Sequence, residues 1–114
     1  MNPISDELRA QLLDNGRQSL ADEGFDPPPV VKLFTPDASA TWLLTEIDPD
    51  DEDNMFGLCD LGLGFPELGC VSLAELMSVR GRLGLPVELD LHFTASKVLS
   101  AYAREARLAG RIVT

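Results

Sequence analysis

A chain of 114 residues, 45% of them apolar, fits one globular domain with a small core and is too hydrophobic for a disordered acidic tail. Nineteen acids against nine bases leave a net charge of −10, which disfavours direct binding to nucleic acid or to an anionic membrane surface. Two cysteines are too few for a disulfide scaffold, and no run of about 18 apolar residues exists to span a membrane.

The first residues, Met1-Asn2-Pro3-Ile4-Ser5-Asp6-Glu7, lack the basic and apolar regions of a secretory signal, so a cytoplasmic setting is expected. There Cys59 and Cys70 should be free and buried. Residues 5–23 read as a first helix, with Ser5 as N-cap and Asp6 and Glu7 in the positive first turn. Ile4, Leu8, Leu12, Leu13 and Leu20 supply its apolar stripe, and Gly16 weakens its middle. Gly24-Phe25-Asp26-Pro27-Pro28-Pro29 ends it and forms a stiff connector.

Residues 30–34 form a short apolar strand, and Thr35-Pro36-Asp37-Ala38 a turn. A second strand, rich in β-formers and anchored by Trp42, covers residues 41–47. The run Asp48-Pro49-Asp50-Asp51-Glu52-Asp53 then reads as an exposed loop. Two further strands, 56–61 and 67–71, are joined by Gly62-Leu63-Gly64-Phe65-Pro66 as a hairpin turn. Ser72-Leu73-Ala74-Glu75 matches a capping box, so a short helix is predicted over residues 73–80. Residues 87–93 alternate, which predicts a strand with Val87, Leu89, Leu91 and Phe93 inward and Glu88, Asp90 and His92 outward. The last helix begins near Ser96. Val98, Leu99, Tyr102, Ala103 and Ala106 share its inner face, and Gly110 is its C-cap. The fold class is therefore α+β: a mostly antiparallel sheet of four to five strands with an N-terminal, a short middle and a C-terminal helix on one face, in two layers.

Charge follows the same order along the chain. Residues 1–36 hold six acids and three bases, residues 37–79 hold ten acids and no base, and residues 80–114 hold three acids and six bases. The base-free block produces a long-range negative field that selects what can dock there. Its favoured partner is a basic protein surface, in particular one that normally receives nucleic acid.

The acidic run does not fit a calcium-binding EF-hand loop. Starting from Asp48, Asp50 and Glu52 are well placed, but Asp53 stands where glycine is needed and Cys59 where glutamate is. The alternation Glu46, Asp48, Asp50, Glu52 fits a different chemistry. In extended chain these carboxylates lie about 6.6 Å apart on one side, a spacing comparable with successive phosphates. Asp51, Asp53 and Asp60 would add a second row. Glu88, Asp90 and His92 have metal-ligand chemistry, yet at alternate positions they span about 13 Å and cannot all reach one ion. His92 is the only histidine, so any histidine-assisted nucleophile must use it. Cys70, just ahead of the middle helix, is the better placed of the two thiols. Gly62-Leu63-Gly64-Phe65 is similar to the carboxylate-binding loop of PDZ domains, but Pro66 removes a backbone donor where peptide pairing would begin.

Four blocks together, Val31-Lys32-Leu33-Phe34-Thr35-Pro36-Asp37-Ala38, Ala40-Thr41-Trp42-Leu43-Leu44-Thr45-Glu46, Phe56-Gly57-Leu58-Cys59-Asp60-Leu61-Gly62 and Gly64-Phe65-Pro66-Glu67-Leu68-Gly69, closely resemble a family of small bacterial proteins of unknown function. Its members often travel on plasmids and integrative elements, and the likeness runs from about residue 8 to residue 112. The resemblance implies one bacterial cytoplasmic domain and transfers no catalytic residue. The mobile-element setting implies interference with a host defence nuclease, of restriction or CRISPR type.

These observations lead to the expectation of a non-enzymatic acidic binding protein, monomeric or homodimeric, without cofactor. It would mimic nucleic acid through Glu46, Asp48, Asp50, Asp51, Glu52, Asp53 and Asp60. The alternatives are a small metal-dependent enzyme using Glu88, Asp90 and His92, or Cys70, and an accessory subunit whose acidic loop serves solubility.

Overall fold

A computed structural model describes residues 2–114. The elements are α1 (Asp6–Ala21), β1 (Val31–Phe34), β2 (Thr41–Asp48), β3 (Asp51–Asp60), β4 (Glu67–Ser72), α2 (Leu73–Ser78), β5 (Glu88–Leu89) and α3 (Leu99–Ala109). The five strands form one antiparallel sheet in the order β4-β3-β2-β1-β5, and the fold is α+β.

The helix termini follow from the residues placed there. Ser5 is extended and its hydroxyl accepts the Leu8 amide at 3.2 Å, while Ser72 does the same for the Glu75 amide of α2. Each satisfies an N–H that the helix leaves without a partner. α3 stops at Gly110, whose φ of 75° lies in the left-handed region open to glycine.

The pleat of β2 divides the core in two. Leu44 joins Trp42, Ile47, Leu12 of α1, Met55 of β3 and Leu76 of α2 on one face. Leu43 joins Leu58 and the α3 residues Leu99, Tyr102, Ala103 and Ala106 on the other. Leu43 and Leu44 are both fully buried, which for adjacent strand residues requires cover on both faces; each such side chain contributes roughly 2 kcal/mol. α1 and α2 cover one face of the sheet, but α3 does not join them there as expected: it covers the opposite face, because Leu43 and Leu58 present an apolar surface on that side as well.

Gly16 has a role that its low helix propensity hides. β1 pairs with β2 only as far as Leu44. Beyond that point α1 takes over the edge: Asn15 Nδ2 donates to the Thr45 carbonyl at 2.9 Å, and a Cβ on Gly16 would sit 1.9 Å from the Ile47 carbonyl oxygen. Glycine lets the helix close onto the strand.

Four local expectations change. The acidic run is not a loop: Pro49 and Asp50 form a two-residue turn, and Asp51, Glu52 and Asp53 begin β3, paired through Asp48↔Asp51 and Ile47↔Met55. The low strand propensity of Asp and Glu is overridden by the register of the apolar residues behind them. The strand predicted over 87–93 shrinks to Glu88–Leu89, which pairs with Leu33 and Phe34; the Asp90 amide still donates to the Lys32 carbonyl at 2.9 Å before the chain leaves the edge of β1. Asp90 accepts the His92 amide and turns the chain, so Leu91 is 82% exposed instead of inward. Cys59 is half-buried but Cys70 is exposed, and both are free. Val98 is exposed at the N-cap of α3 instead of packing inward.

Among the described residues, no helix is long and apolar enough to cross a membrane.

Candidate acidic interface

The tip half of the β2–β3 hairpin carries six of the seven carboxylates singled out in the sequence, and the fold treats each differently. At its tip, Asp48 Oδ1 accepts the Asp50 amide at 2.9 Å and Asp51 Oδ1 accepts the Asp53 amide at 3.2 Å. Each of those two side chains is held by one oxygen and leaves the other free. Asp48 and Asp51 face each other across the ladder, an arrangement of like charge that costs stability in a sheet. Asp50 stands exposed in the turn between them.

The other carboxylates are engaged within the fold. Glu52 pairs with Arg9 of α1, a half-exposed ion pair worth about 0–1 kcal/mol. Asp53 accepts the Ser72 hydroxyl at 2.6 Å and the Ala74 amide at 2.8 Å, so it caps α2. Those two bonds, the hydroxyl's first, hold its pKa below the usual carboxylate value.

Glu46 lines a cleft of about 190 Å³ with Ser19, Asp48, Asn54, Phe56 and Cys70 among its walls. Burial pushes its pKa up, a Ser19 hydrogen bond opposes this, and Asp48 adds to it. Its Oε2 is buried without a partner.

Asp60 belongs to a different place. It is 4% exposed at the far end of β3, with Oδ1 accepting the Gly62 amide at 2.8 Å and Oδ2 the Ile112 amide at 2.9 Å. Both oxygens serve the fold, and the structure does not bring Asp60 to the hairpin surface.

The single extended row from Glu46 to Glu52 is therefore broken. The turn at Pro49 and Asp50 folds it back, placing Glu46 and Asp48 on one strand and Glu52 on the next. What remains is a compact knob, with Asp48, Asp50 and Asp51 at its tip and Glu52 beside it. Among the described residues its only ion-pairing cation is Arg9.

The alternative chemical sites are not assembled by the fold. Among the described residues no group of three His, Cys, Asp or Glu is placed to hold a metal ion. Asp90 lies 3.5 Å from Lys32 and is bonded to its own turn. Burial, followed by the charge of Cys70, raises the Cys59 thiol to about 11, so it stays protonated at neutral pH.

Read from the sequence, Arg104 and Arg107 are only cations near the negative end of the last helix and are not grouped with their neighbours. Arg104, Arg107, Leu108 and Arg111 recur at helical spacing and are all exposed, the last just past the end of α3. The i, i+3, i+4, i+7 spacing was visible in the chain. Its significance was not, because the partner loop that completes the surface lies some forty residues earlier.

A family model described as protein of unknown function (DUF2958) matches residues 3–113. No curated protein and no solved structure matches the chain.

Proposed function

The chain belongs to the DUF2958 family of proteins of unknown function, and we propose that it is a non-enzymatic binding protein whose acidic hairpin occupies a basic groove on a partner protein. The observation that carries this reading is the tip itself. Asp50 sits in a two-residue turn and Asp48 and Asp51 flank it, these two held in place by backbone amides. A fixed, preformed cluster of charge binds with less ordering cost than a flexible acidic tail. A groove that normally receives nucleic acid supplies the matching cations, and the tip carboxylates take the place of backbone phosphates there. A defence nuclease of the host, of restriction or CRISPR type, is the proposed class of partner, in keeping with a mobile-element setting and a bacterial cytoplasm.

Complementary charge speeds encounter and makes it sensitive to salt. The test is to capture partners from a bacterial lysate at low salt, then titrate each one against wild-type protein and the triple variant Asp48→Asn, Asp50→Asn, Asp51→Asn. Displacement of a labelled DNA duplex from the partner by wild type, lost in the variant, supports the reading. Binding that ignores both salt and the three substitutions removes it.

A further inference from the structure

The opposite end of the molecule carries a surface of different chemistry. The loop after β3 exposes Leu61 by 62%, Leu63 by 74% and Phe65 by 80%, and α3 exposes Leu108 by 86%. These residues are brought to one end by two contacts. Gly110 lies against the Gly64 carbonyl, 3.8 Å from where its Cβ would be, and the Asp60 carboxylate bonds the amides of both Gly62 and Ile112. A buried acid thus pins the loop to the segment that follows α3. Large apolar side chains grouped in this way mark an interaction surface.

The charge around them is positive. Arg104, Arg107 and Arg111 are exposed and make no salt bridge among the described residues, whose ion pairs are Arg9–Glu52, Lys32–Asp90 and Lys97–Glu105. The hairpin's charge is out of reach. β3 has ten residues, so its two ends stand about 30 Å apart, several times the roughly 8 Å Debye length at physiological salt.

We propose that the end formed by the 61–65 loop and α3 is a second docking surface, and that its occupant is an acidic protein segment carrying apolar anchors. Carboxylates of the segment pair with Arg104, Arg107 and Arg111, and its apolar side chains cover Leu63, Phe65 and Leu108. A nucleic acid would meet the same arginines but would leave the leucines and Phe65 uncovered, and the net charge of the chain repels it at long range.

The experiment is selection from a random dodecapeptide display library on full-length protein at about 0.15 M salt. Two variants accompany it: Arg104→Ser with Arg107→Ser and Arg111→Ser, and Phe65→Ser with Leu108→Ser. All five side chains are exposed, and thermal unfolding checks that the fold survives. The expected result is enrichment of acidic peptides with apolar positions, whose affinity falls about tenfold or more in each variant and is unchanged when the hairpin tip is neutralised. No enrichment, or peptides unaffected by both variants, overturns the proposal. So does retention of a single-stranded oligonucleotide in place of peptides, or a dimer in sedimentation that the Phe65 and Leu108 substitutions dissolve.

Discussion

The two ends of β3 solve opposite problems with the same residue type. At the hairpin, Asp48, Asp50 and Asp51 keep carboxylate oxygens in water, and their mutual repulsion is left in place. At the far end, Asp60 gives both oxygens to backbone amides and disappears into the fold. The contrast shows that the acidic composition of the central block is two things at once: structural glue where a carboxylate meets orphaned N–H groups, and a displayed charge where it does not. Counting acids along the chain cannot separate them; the hydrogen bonds can.

The largest effect expected from breaking this arrangement is at Gly16. Gly16→Ala puts a methyl group into the Ile47 carbonyl, and a backbone atom cannot swing aside as a side chain can. We expect a loss of about 3 kcal/mol, read by denaturant unfolding, with the hairpin losing its footing on α1. Next comes Asp60→Ala, which leaves two backbone amides without a partner and costs about 2 kcal/mol. Hydrogen exchange should then rise at Gly62 and Ile112 while the hairpin tip stays unchanged. An equal rise at both ends would contradict the separation of roles.

Glu46 and Asp53 sharpen the comparison through pH. The folded Glu46 carboxyl titrates above its ordinary value of 4.5, so the stability this gives is full below that value and is lost as pH rises through the raised one. Glu46→Gln should therefore be modestly more stable than wild type at neutral pH, with the advantage fading toward acid. Asp53 runs the other way. Its folded pKa lies below 3.8, so its stabilisation is present above that value and is lost as pH falls through the lowered one. Asp53→Ala should destabilise slightly at neutral pH and lose its difference from wild type at strongly acid pH. Thermal unfolding across pH checks both.

Much of the frame was legible because it depends on neighbours in sequence. Ser5, the Ser72 box and Gly110 act within four residues, and the apolar runs of β1 and β2 announce themselves. Some of the failures concern partners that lie far away, and others a turn that reverses the chain locally. The acidic run becomes strand because Met55 must meet Ile47. The alternation of residues 87–93 stops being a strand for a local reason, the turn in which Asp90 accepts the His92 amide, although β1 continues back to Val31. Asp60 looked like one more displayed charge because its partner, Ile112, is 52 residues on. The row from Glu46 to Glu52 failed for a nearer reason, a Pro49-Asp50 turn that reversed the chain in its middle.

The smallest effect on the fold is expected where the effect on function is greatest. Replacing Asp48, Asp50 and Asp51 together with Asn should leave stability within about 0.5 kcal/mol: Asp50 and Asp51 are exposed, Asp48 is half-buried, and an Asn oxygen can still accept the amides that Asp48 and Asp51 hold. The decisive measurement is the affinity of this triple variant and of wild type for a captured basic partner, followed from low to moderate salt. The account predicts that wild type binds at least about tenfold more tightly at low salt, and that the two converge as salt rises. Equal affinities with parallel salt dependence would contradict it.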